Sequence, residues 1–330
     1  MTSDFSRRAF LKTAGKGALA TAATAASGGL GLLPQMAQAQ AYPAQQIKWI
    51  IYQSPGGLID TSSRMLQPFL ADQGINTVFD YVRGASGRIA RTQLYKSKPD
   101  GYAIMTEAMP EEVLGEIVYD AEYKTKELQP LVGWFVNAFN LYVRADSKIR
   151  SFDDFIKTAR SQRVTVATLG QGGPSHLQIM LLRSKLNLNI EPIPFSGGAP
   201  AYVALSGGHV DVAIGGSSTA RNADKVTFLT VFRDGRDPAI PAVPTADELG
   251  HKIPNINEVI YLQTGPGVPA DRIARLTQAA TRAIEHPEHI EKQKKFGVFA
   301  KVITAAELRA QIAERYDFVR EYKSELVEKK

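Results

Sequence analysis

Short β-rich segments alternate with amphipathic helical segments along this chain, and that alternation limits the folds it can adopt. Residues 47–52 have the composition of a strand, and beyond the turn at 54–57 apolar residues recur at helical spacing through Leu70. The same alternation predicts further strands at 78–82, 103–106, 164–167, 192–195, 210–214 and 226–229, and helices at 152–159, 175–186, 200–205, 270–285 and from 305 towards the C-terminus. This order of elements predicts an α/β architecture with mostly parallel sheets.

Four glycine-rich turns each follow a predicted strand and precede a predicted helix. They lie at 54–57, 84–87, 170–175 and 195–200. A helix start offers unpaired N–H groups and the positive end of the helix dipole, and glycine lets a ligand approach the backbone closely. Such turns can bind an anion without lysine or arginine. None of them has the Gly-Lys-Ser/Thr ending or the Gly-x-Gly-x-x-Gly spacing of nucleotide sites, so the pattern disfavours nucleotide binding.

The N-terminus has the features of an export signal. Arg7 and Arg8 are followed by Phe10, Leu11 and Lys12, a weakly apolar stretch occupies 18–33, and small residues alternate at 37–41. This order predicts a twin-arginine signal peptide over residues 1–39 and a mature protein in the periplasm.

Composition excludes several classes of function. The chain has 39 Lys and Arg against 33 Asp and Glu. Residues 1–39 hold four of the basic and one of the acidic residues, which leaves 35 against 32 and a net charge of +3 for the remainder. A charge this small gives no reason to expect a nucleic-acid partner. Because the chain has no cysteine, disulfides and zinc–thiolate sites are excluded. No cofactor or metal site is predicted.

Seven collinear segments resemble the Bug family of extracytoplasmic receptors of tripartite tricarboxylate transporters. They are residues 55–60 with Arg64, 84–87, 99–102, 170–177, 197–201, 207–211 and 243–250. The resemblance implies a periplasmic-binding-protein clamp of type II-like architecture, in which each of two lobes has a mostly parallel sheet flanked by helices. On this basis we expect residues 42–143 plus 262–330 to form lobe 1 and 144–261 to form lobe 2. The proline-rich stretch 237–244 is a candidate connection between the lobes.

The same resemblance implies which residues contact a bound carboxylate. The expected site residues are Ser54, Gly56, Gly57 and Asp60 in lobe 1 and Gly170, Gly172, Ser175, Ser196 and Gly197 in lobe 2. For Asp60 and Ser175 a structural role at a helix start is an alternative to solute contact. Ser196 stands where the family usually has lysine, so a basic side chain expected in the site is missing.

The resemblance therefore implies a non-enzymatic receptor. We expect a monomer that binds a small organic mono- or dicarboxylate and docks onto the membrane permease subunits of a transporter. One alternative is a protein that presents its solute to a membrane sensor for signalling. Another is an exported enzyme, but the adjacent Ser175 and His176 would not pair on a helix, and the chain has no Gly-x-Ser-x-Gly elbow.

Overall fold

The computed structural model describes residues 42–216, 218 and 224–326. The predicted signal peptide at 1–39 and its cleavage site lie outside this range. Within it, none of the helices is both long enough and apolar enough to cross a bilayer.

The elements alternate as the sequence pattern predicts, with further strands and helices between them. In chain order they are β1 (Ile47–Ile51), α1 (Leu58–Asp72), β2 (Thr77–Tyr81), α2 (Arg88–Tyr95), β3 (Ala103–Met109), α3 (Glu111–Tyr119), β4 (Gln129–Asn137), β5 (Phe139–Arg144), α4 (Phe152–Ser161), β6 (Val164–Thr168), α5 (Pro174–Leu186), β7 (Ile190–Pro194), α6 (Gly198–Ser206), β8 (Val212–Gly215), β9 (Val226–Phe232), β10 (Glu258–Thr264), α7 (Ala270–Ile284), α8 (Pro287–Lys295), β11 (Ile303–Thr304), α9 (Ala305–Glu321) and α10 (Lys323–Leu326). Short 3-10 turns occupy Ala85–Gly87 and Thr125–Glu127.

The strands form two mixed sheets, each of which defines a lobe. The sheet of lobe 1 has the order β11-β4-β10-β3-β1-β2, and that of lobe 2 has the order β7-β6-β8-β5-β9. In lobe 1 the neighbours β3, β1 and β2 are parallel, and in lobe 2 the neighbours β7, β6 and β8 are parallel. The remaining pairs, made by β10, β4, β11 and β5, are antiparallel. The predicted α/β class is confirmed, but each sheet is mixed rather than mostly parallel, because the strands at which the chain crosses between the lobes pair antiparallel. The glycine-rich turns follow the parallel strands of each sheet.

Sheet membership moves the lobe boundaries away from those expected at 143/144 and 261/262. β5 pairs only within the lobe 2 sheet, whereas β10 pairs with β3 and β4 of lobe 1. The chain therefore enters lobe 2 at Ala138 and returns to lobe 1 just before Glu258. The stretch 237–244 is not the connection, because Ile240 packs with Ala138 and Val231 beside β9. Continuous apolar runs through these crossing strands leave no boundary signal in the sequence.

Separate apolar cores fill the two lobes, and helix α5 joins them. One core surrounds β1, β3 and α1 in lobe 1, and another surrounds β5, β6 and α4 in lobe 2. Leu177 and Leu181 of α5 pack in a third cluster with Val113 of α3 and Leu308 of α9, both from lobe 1. On another face Ile179 and Leu182 pack in the lobe 2 core. Because α5 is buried between the lobes, its sequence has no polar face over this stretch.

Candidate functional site: the cleft between the lobes

The turn after β1 is braced from within lobe 1. Gly56, whose φ is +83°, donates its N–H to Asp60 Oδ2 at 2.8 Å. Gly57 donates its N–H to the Ser54 carbonyl at 3.1 Å. Gln53 Oε1 accepts the Ile59 N–H at 3.3 Å. The structure thus places Ser54, Gly56 and Gly57 at the start of α1, but the N–H groups of the two glycines are already used inside the turn.

Asp60 holds this turn in place. The residue is 2% exposed, and besides Gly56 its carboxylate accepts hydrogen bonds from Arg64 Nε at 2.9 Å and from the Tyr81 hydroxyl. Burial alone would raise the pKa of Asp60, but the hydrogen bonds from Gly56, Tyr81 and Arg64 outweigh it and lower the pKa. Of the two roles considered for Asp60, the bonds seen here belong to the structural one.

A buried ion network lies beneath the second turn of lobe 1, at residues 84–87. Arg91 is fully buried and donates from Nη1 to the Ser86 carbonyl at 2.7 Å. Its Nε and Nη2 donate to the two oxygens of Glu107, each at 2.6 Å, and Nη2 also lies 2.9 Å from Glu111 Oε2. The turn is therefore tied to a bidentate ion pair in the interior, a strong and directional contact.

Two further carboxyl groups in the interior are held in their neutral form. Burial, followed by the nearby charge of Glu107, raises the pKa of Glu112 to about 8. Burial, followed by the charge of Glu111, raises the pKa of Glu258 to about 8. Glu258 lies opposite Asn137 where the chain crosses between the lobes, and its Oε2 accepts the Asn137 amide N–H at 2.6 Å. The interior of lobe 1 near this crossing therefore holds one arginine, Arg91, and several carboxyl groups, those of Glu107, Glu111, Glu112 and Glu258, among the residues that the structure describes.

The turn after β6 is held mainly by backbone contacts. Gly173 precedes α5 and donates its N–H to the Gly170 carbonyl at 3.3 Å. Ser175 is 2% exposed and its Oγ accepts the Leu169 N–H at 2.9 Å. That bond ties the end of β6 to the start of α5, and Ser175 does not cap its own helix.

The turn after β7 lies at the same edge of the lobe 2 sheet. The Phe195 N–H donates to the Thr168 carbonyl at 2.9 Å, which keeps this turn beside the one after β6. Ser196 is exposed, and Gly197 adopts a φ of +133° just before α6. A Cβ atom at Gly197 would meet nothing within 4 Å, so the space above this turn is open.

The lobes meet in a narrow cleft that opens to solvent and, with the lobes in contact, leaves about 10 Å³ of free space, room for about one water molecule. It is lined by Ser86, Arg88, Glu111, Leu114, Gly115 and Tyr119 of lobe 1 and by Gly172 and Gly173 of lobe 2. Ser86 Oγ donates to the Gln171 carbonyl at 3.3 Å across the cleft. A Cβ atom added to Gly172 would overlap the Tyr119 hydroxyl. Gly172 therefore lets the two lobes come into direct contact.

Of the nine residues expected in the site, only Gly172 lines this cleft within the part of the chain that the structure describes. The turns at 54–57 and 195–200 open at the same edges of the sheets but do not line this cleft, so their solute contacts remain predictions. Sequence reasoning missed Arg88, Glu111 and Tyr119. The acidic pair at 111–112 directly after a buried strand was the available signal for Glu111.

Among residues 42–216, 218 and 224–326, no group of three or more histidine, aspartate or glutamate side chains is arranged to hold a metal ion. The donors that the cleft does offer suit an anionic or hydrogen-bonding organic solute.

Comparison with known proteins places the chain among solute receptors. Residues 64–321 match the sequence model of the tripartite tricarboxylate transporter family receptor, TctC. A UPF0065 protein from the gbd 5' region of Cupriavidus necator is 28% identical over 309 residues, which cover 88% of each chain. The protein BugT of Bordetella pertussis is 27% identical over 285 residues, covering 84% of this chain and 87% of BugT.

Solved structures share the fold. MatC of Rhodopseudomonas palustris, solved with bound malate, superposes with a TM-score of 0.76 at 22% identity, covering 87% of this chain and all of MatC (100%). Another R. palustris protein, solved with adipate, gives a TM-score of 0.78 at 19% identity, covering 86% of this chain and 98% of that protein.

Proposed function

Since the chain belongs to the tripartite tricarboxylate transporter receptor family, we propose that it captures a small organic mono- or dicarboxylate in the periplasm and delivers it to the permease subunits of such a transporter. The observation that carries this proposal is the cleft in which turns from both lobes meet, with Ser86 bonded to Gln171 across it. The malate and adipate in the two R. palustris proteins support a carboxylate as the solute class. On this proposal the protein acts as a monomer, without a cofactor and without catalysis.

Backbone N–H groups at helix starts supply the anion contacts in this proposal. In α1 the N–H groups of Leu58 and Asp60, and in α5 that of Ser175, make no hydrogen bond to any residue the structure describes. Hydrogen bonds to a charged group contribute about 1.5–3 kcal/mol each. Three of them would contribute about 4.5–9 kcal/mol before the cost of ordering the solute, against about 8.2 kcal/mol for micromolar binding, so burial of the remaining solute surface has to supply the difference.

Thermal unfolding with a panel of carboxylates that includes malate and adipate tests the proposal. A solute at about 100 times its Kd stabilises the native state by about 2.7 kcal/mol, which raises Tm by several degrees. Folded, ligand-free protein that shows no shift with any acid of the panel would count against carboxylate capture.

A matched pair of variants tests the backbone contacts. Leu58 is the first residue of α1, a position that accepts proline readily. Leu58→Pro removes the N–H and keeps the helix start, whereas Leu58→Ala keeps the N–H and shortens the side chain. We expect Leu58→Pro to bind the stabilising acid about tenfold or more weakly than Leu58→Ala. Equal affinities would show that this amide does not contact the solute.

The periplasmic location and the route to it rest on the sequence of residues 1–39. We expect Arg7→Lys combined with Arg8→Lys to keep the precursor in the cytoplasm, as followed by immunoblotting of cell fractions. Loss of carboxylate uptake in a deletion strain would support delivery to a permease. Intact uptake with a lost transcriptional response would instead indicate the sensing role.

A further inference from the structure

Arg88 places a positive charge in the cleft and, among the residues that the structure describes, no carboxylate pairs with it. Its side chain lines the cleft together with Gly172 and Gly173 of lobe 2. Its guanidinium carbon lies 4.4 Å from the centre of the Tyr119 ring. The Arg88 backbone N–H donates to the Ala85 carbonyl, but within the described part of the chain its side chain makes neither an ion pair nor a hydrogen bond. Because the Tyr119 ring is the only side chain that engages the Arg88 guanidinium among the described residues, this arginine is available to an anion.

Stability of the helix does not account for this arginine. Arg88 is the first residue of α2, and a helix start carries the positive end of the dipole, which disfavours a cation. One turn later, Arg91 has a clear structural role because it is fully buried and pairs with Glu107. The two arginines of α2 thus differ, since one neutralises buried carboxylates and the other faces the cleft.

The surroundings of Arg88 hold it in position. Its guanidinium stacks on Tyr119, a cation–π contact that favours one side-chain conformation. Gly115 of α3 makes room for the aliphatic part, because a Cβ atom there would lie 3.2 Å from Arg88 Cγ. A side chain that is already oriented loses less conformational freedom when an anion binds.

The start of helix α5, which is the positive end of its dipole, lies across the cleft from Arg88. Gly172 and Gly173 directly precede α5, whose first turn carries the partial positive charge of a helix start. The one carboxylate that lines the cleft, Glu111, is engaged by Arg91 at 2.9 Å. Two positive groups from different lobes therefore border the cleft. Its free space is about that of one water molecule while Gly172 contacts Tyr119, so an anion enters between the two groups when the lobes part.

We propose that one carboxylate of the solute lies between Arg88 of lobe 1 and the first turn of α5 of lobe 2, so that Arg88 is a specificity-determining residue that contacts the solute. This inference rests on the proposed function and adds a side-chain cation to a site otherwise formed by backbone amides. It compensates for the basic side chain that is missing at Ser196. It also makes the bound anion a bridge between the lobes, so that solutes whose carboxylate is replaced by a neutral group bind less tightly.

Titration calorimetry with malate and with adipate tests the inference on the full mature chain and three variants. For the acid that the parent binds, we expect Arg88→Gln to weaken affinity about 10- to 100-fold, the loss of one charge-assisted contact. The affinity of Arg88→Lys should lie between those of the parent and Arg88→Gln, because lysine keeps the charge but lacks the planar guanidinium. Arg160→Gln, which removes an exposed arginine from the last turn of α4, should bind within about twofold of the parent.

The outcomes separate this inference from the proposed function. Parent-like affinity in Arg88→Gln overturns the role of Arg88 and leaves carboxylate capture standing. Failure of the folded parent to bind any carboxylate counts against the proposed function and therefore against this inference as well. The Tm of ligand-free Arg88→Gln separates a contact from a structural role, since we expect it to equal or exceed that of the parent. A Tm lowered by several degrees, in parallel with affinity, overturns the assignment.

Discussion

The two lobes hold the glycine-rich turns after their parallel strands in different ways. In lobe 1, charged side chains brace them: Asp60 accepts from Gly56, and Arg91 donates to the Ser86 carbonyl from a buried ion network. In lobe 2, the turn at 170–175 is held by one backbone bond and by the Ser175 hydroxyl. The difference suggests that lobe 1 presents a rigid half of the site, whereas the turns of lobe 2 can adjust to the solute. The four predictions below test this contrast, from the largest expected effect to the smallest.

Replacement of Arg91, the buried arginine of lobe 1, should have the largest effect on the free energy of unfolding. Arg91→Leu leaves Glu107 and Glu111 without their partner in the interior. We expect a loss of about 3–5 kcal/mol in the free energy of unfolding, the usual cost of an uncompensated buried charge. Urea denaturation measures it.

A double variant serves as the control for the first prediction. Adding Glu107→Gln to Arg91→Leu removes one of the two stranded carboxylates and should recover part of the lost stability. A single variant that loses less than about 1 kcal/mol would mean that the network does not hold lobe 1 together.

The neutral carboxyl group of Glu258, where the chain crosses between the lobes, should make the free energy of unfolding depend on pH. The pKa of Glu258 is raised from 4.5 to about 8, so the native state keeps a proton that the unfolded chain has lost. Stability from this group is therefore full below pH 4.5 and falls as the pH rises towards about 8. Glu258→Gln keeps an acceptor for Asn137 and cannot ionise. We expect the free energy of unfolding of Glu258→Gln to exceed that of the parent by about 2–4 kcal/mol at a pH above about 8 and to equal it below pH 4.5.

Thermal unfolding at a series of pH values measures this difference. Glu112→Gln should show the same sign, because the pKa of Glu112 is also raised to about 8. A stability gap between Glu258→Gln and the parent that stays constant with pH would contradict the prediction.

Contact between the lobes depends on a glycine in lobe 2. In Gly172→Ala the new methyl group would overlap the Tyr119 hydroxyl, so we expect a larger radius of gyration by small-angle X-ray scattering. The backbone cost at a φ of +68° should be about 1–2 kcal/mol. Gly235→Ala is the matched control, since its φ is +71° and nothing lies within 4 Å of the added atom. We expect Gly235→Ala to carry the backbone cost without the expansion.

A second-site change sharpens this test. Adding Tyr119→Ala to Gly172→Ala removes the overlapping hydroxyl and should restore the parent's radius of gyration. Expansion that persists in the double variant would show that Tyr119 is not what separates the lobes.

The smallest effect is expected at the hydroxyl brace of lobe 2. Ser175→Ala removes the acceptor of the Leu169 N–H, which should cost about 1 kcal/mol. Ser184→Ala, an exposed position on the same helix, should stay within about 0.5 kcal/mol of the parent. A loss at Ser175 as large as that at Arg91 would remove the proposed difference between the lobes.

Local sequence patterns predict the parts of this fold that depend on neighbouring residues. The parallel strands, the helices that follow them and the glycine turns between them all have clear periodicity or turn chemistry, and the structure has them. β4 and β5 were missed because residues 129–144 form an almost continuous apolar run, which does not distinguish a strand from a buried helix. α5 lacks a polar face for a related reason, since both lobes pack on it.

The candidate site was less accessible to prediction because its contacts are distant in sequence. Arg91 meets Glu107 only because α2 lies against β3, and Tyr119 reaches Gly172 only because the lobes pack together. Nothing near Arg88 in the sequence distinguishes it from an ordinary surface arginine. Asp60 illustrates the other limit: its position at a helix start was predicted, but only the structure shows that its oxygens are engaged by Gly56, Arg64 and Tyr81.

The insertion of lobe 2 between β4 and β10 has a consequence for biosynthesis. When the ribosome has made the chain as far as Ile256, every strand of lobe 2 has been synthesised, and that lobe can fold as a continuous segment. Lobe 1 still lacks β10, which pairs with both β3 and β4 at the middle of its sheet. A nascent or truncated chain that ends before this strand would therefore expose the unpaired edges of β3 and β4 to aggregation.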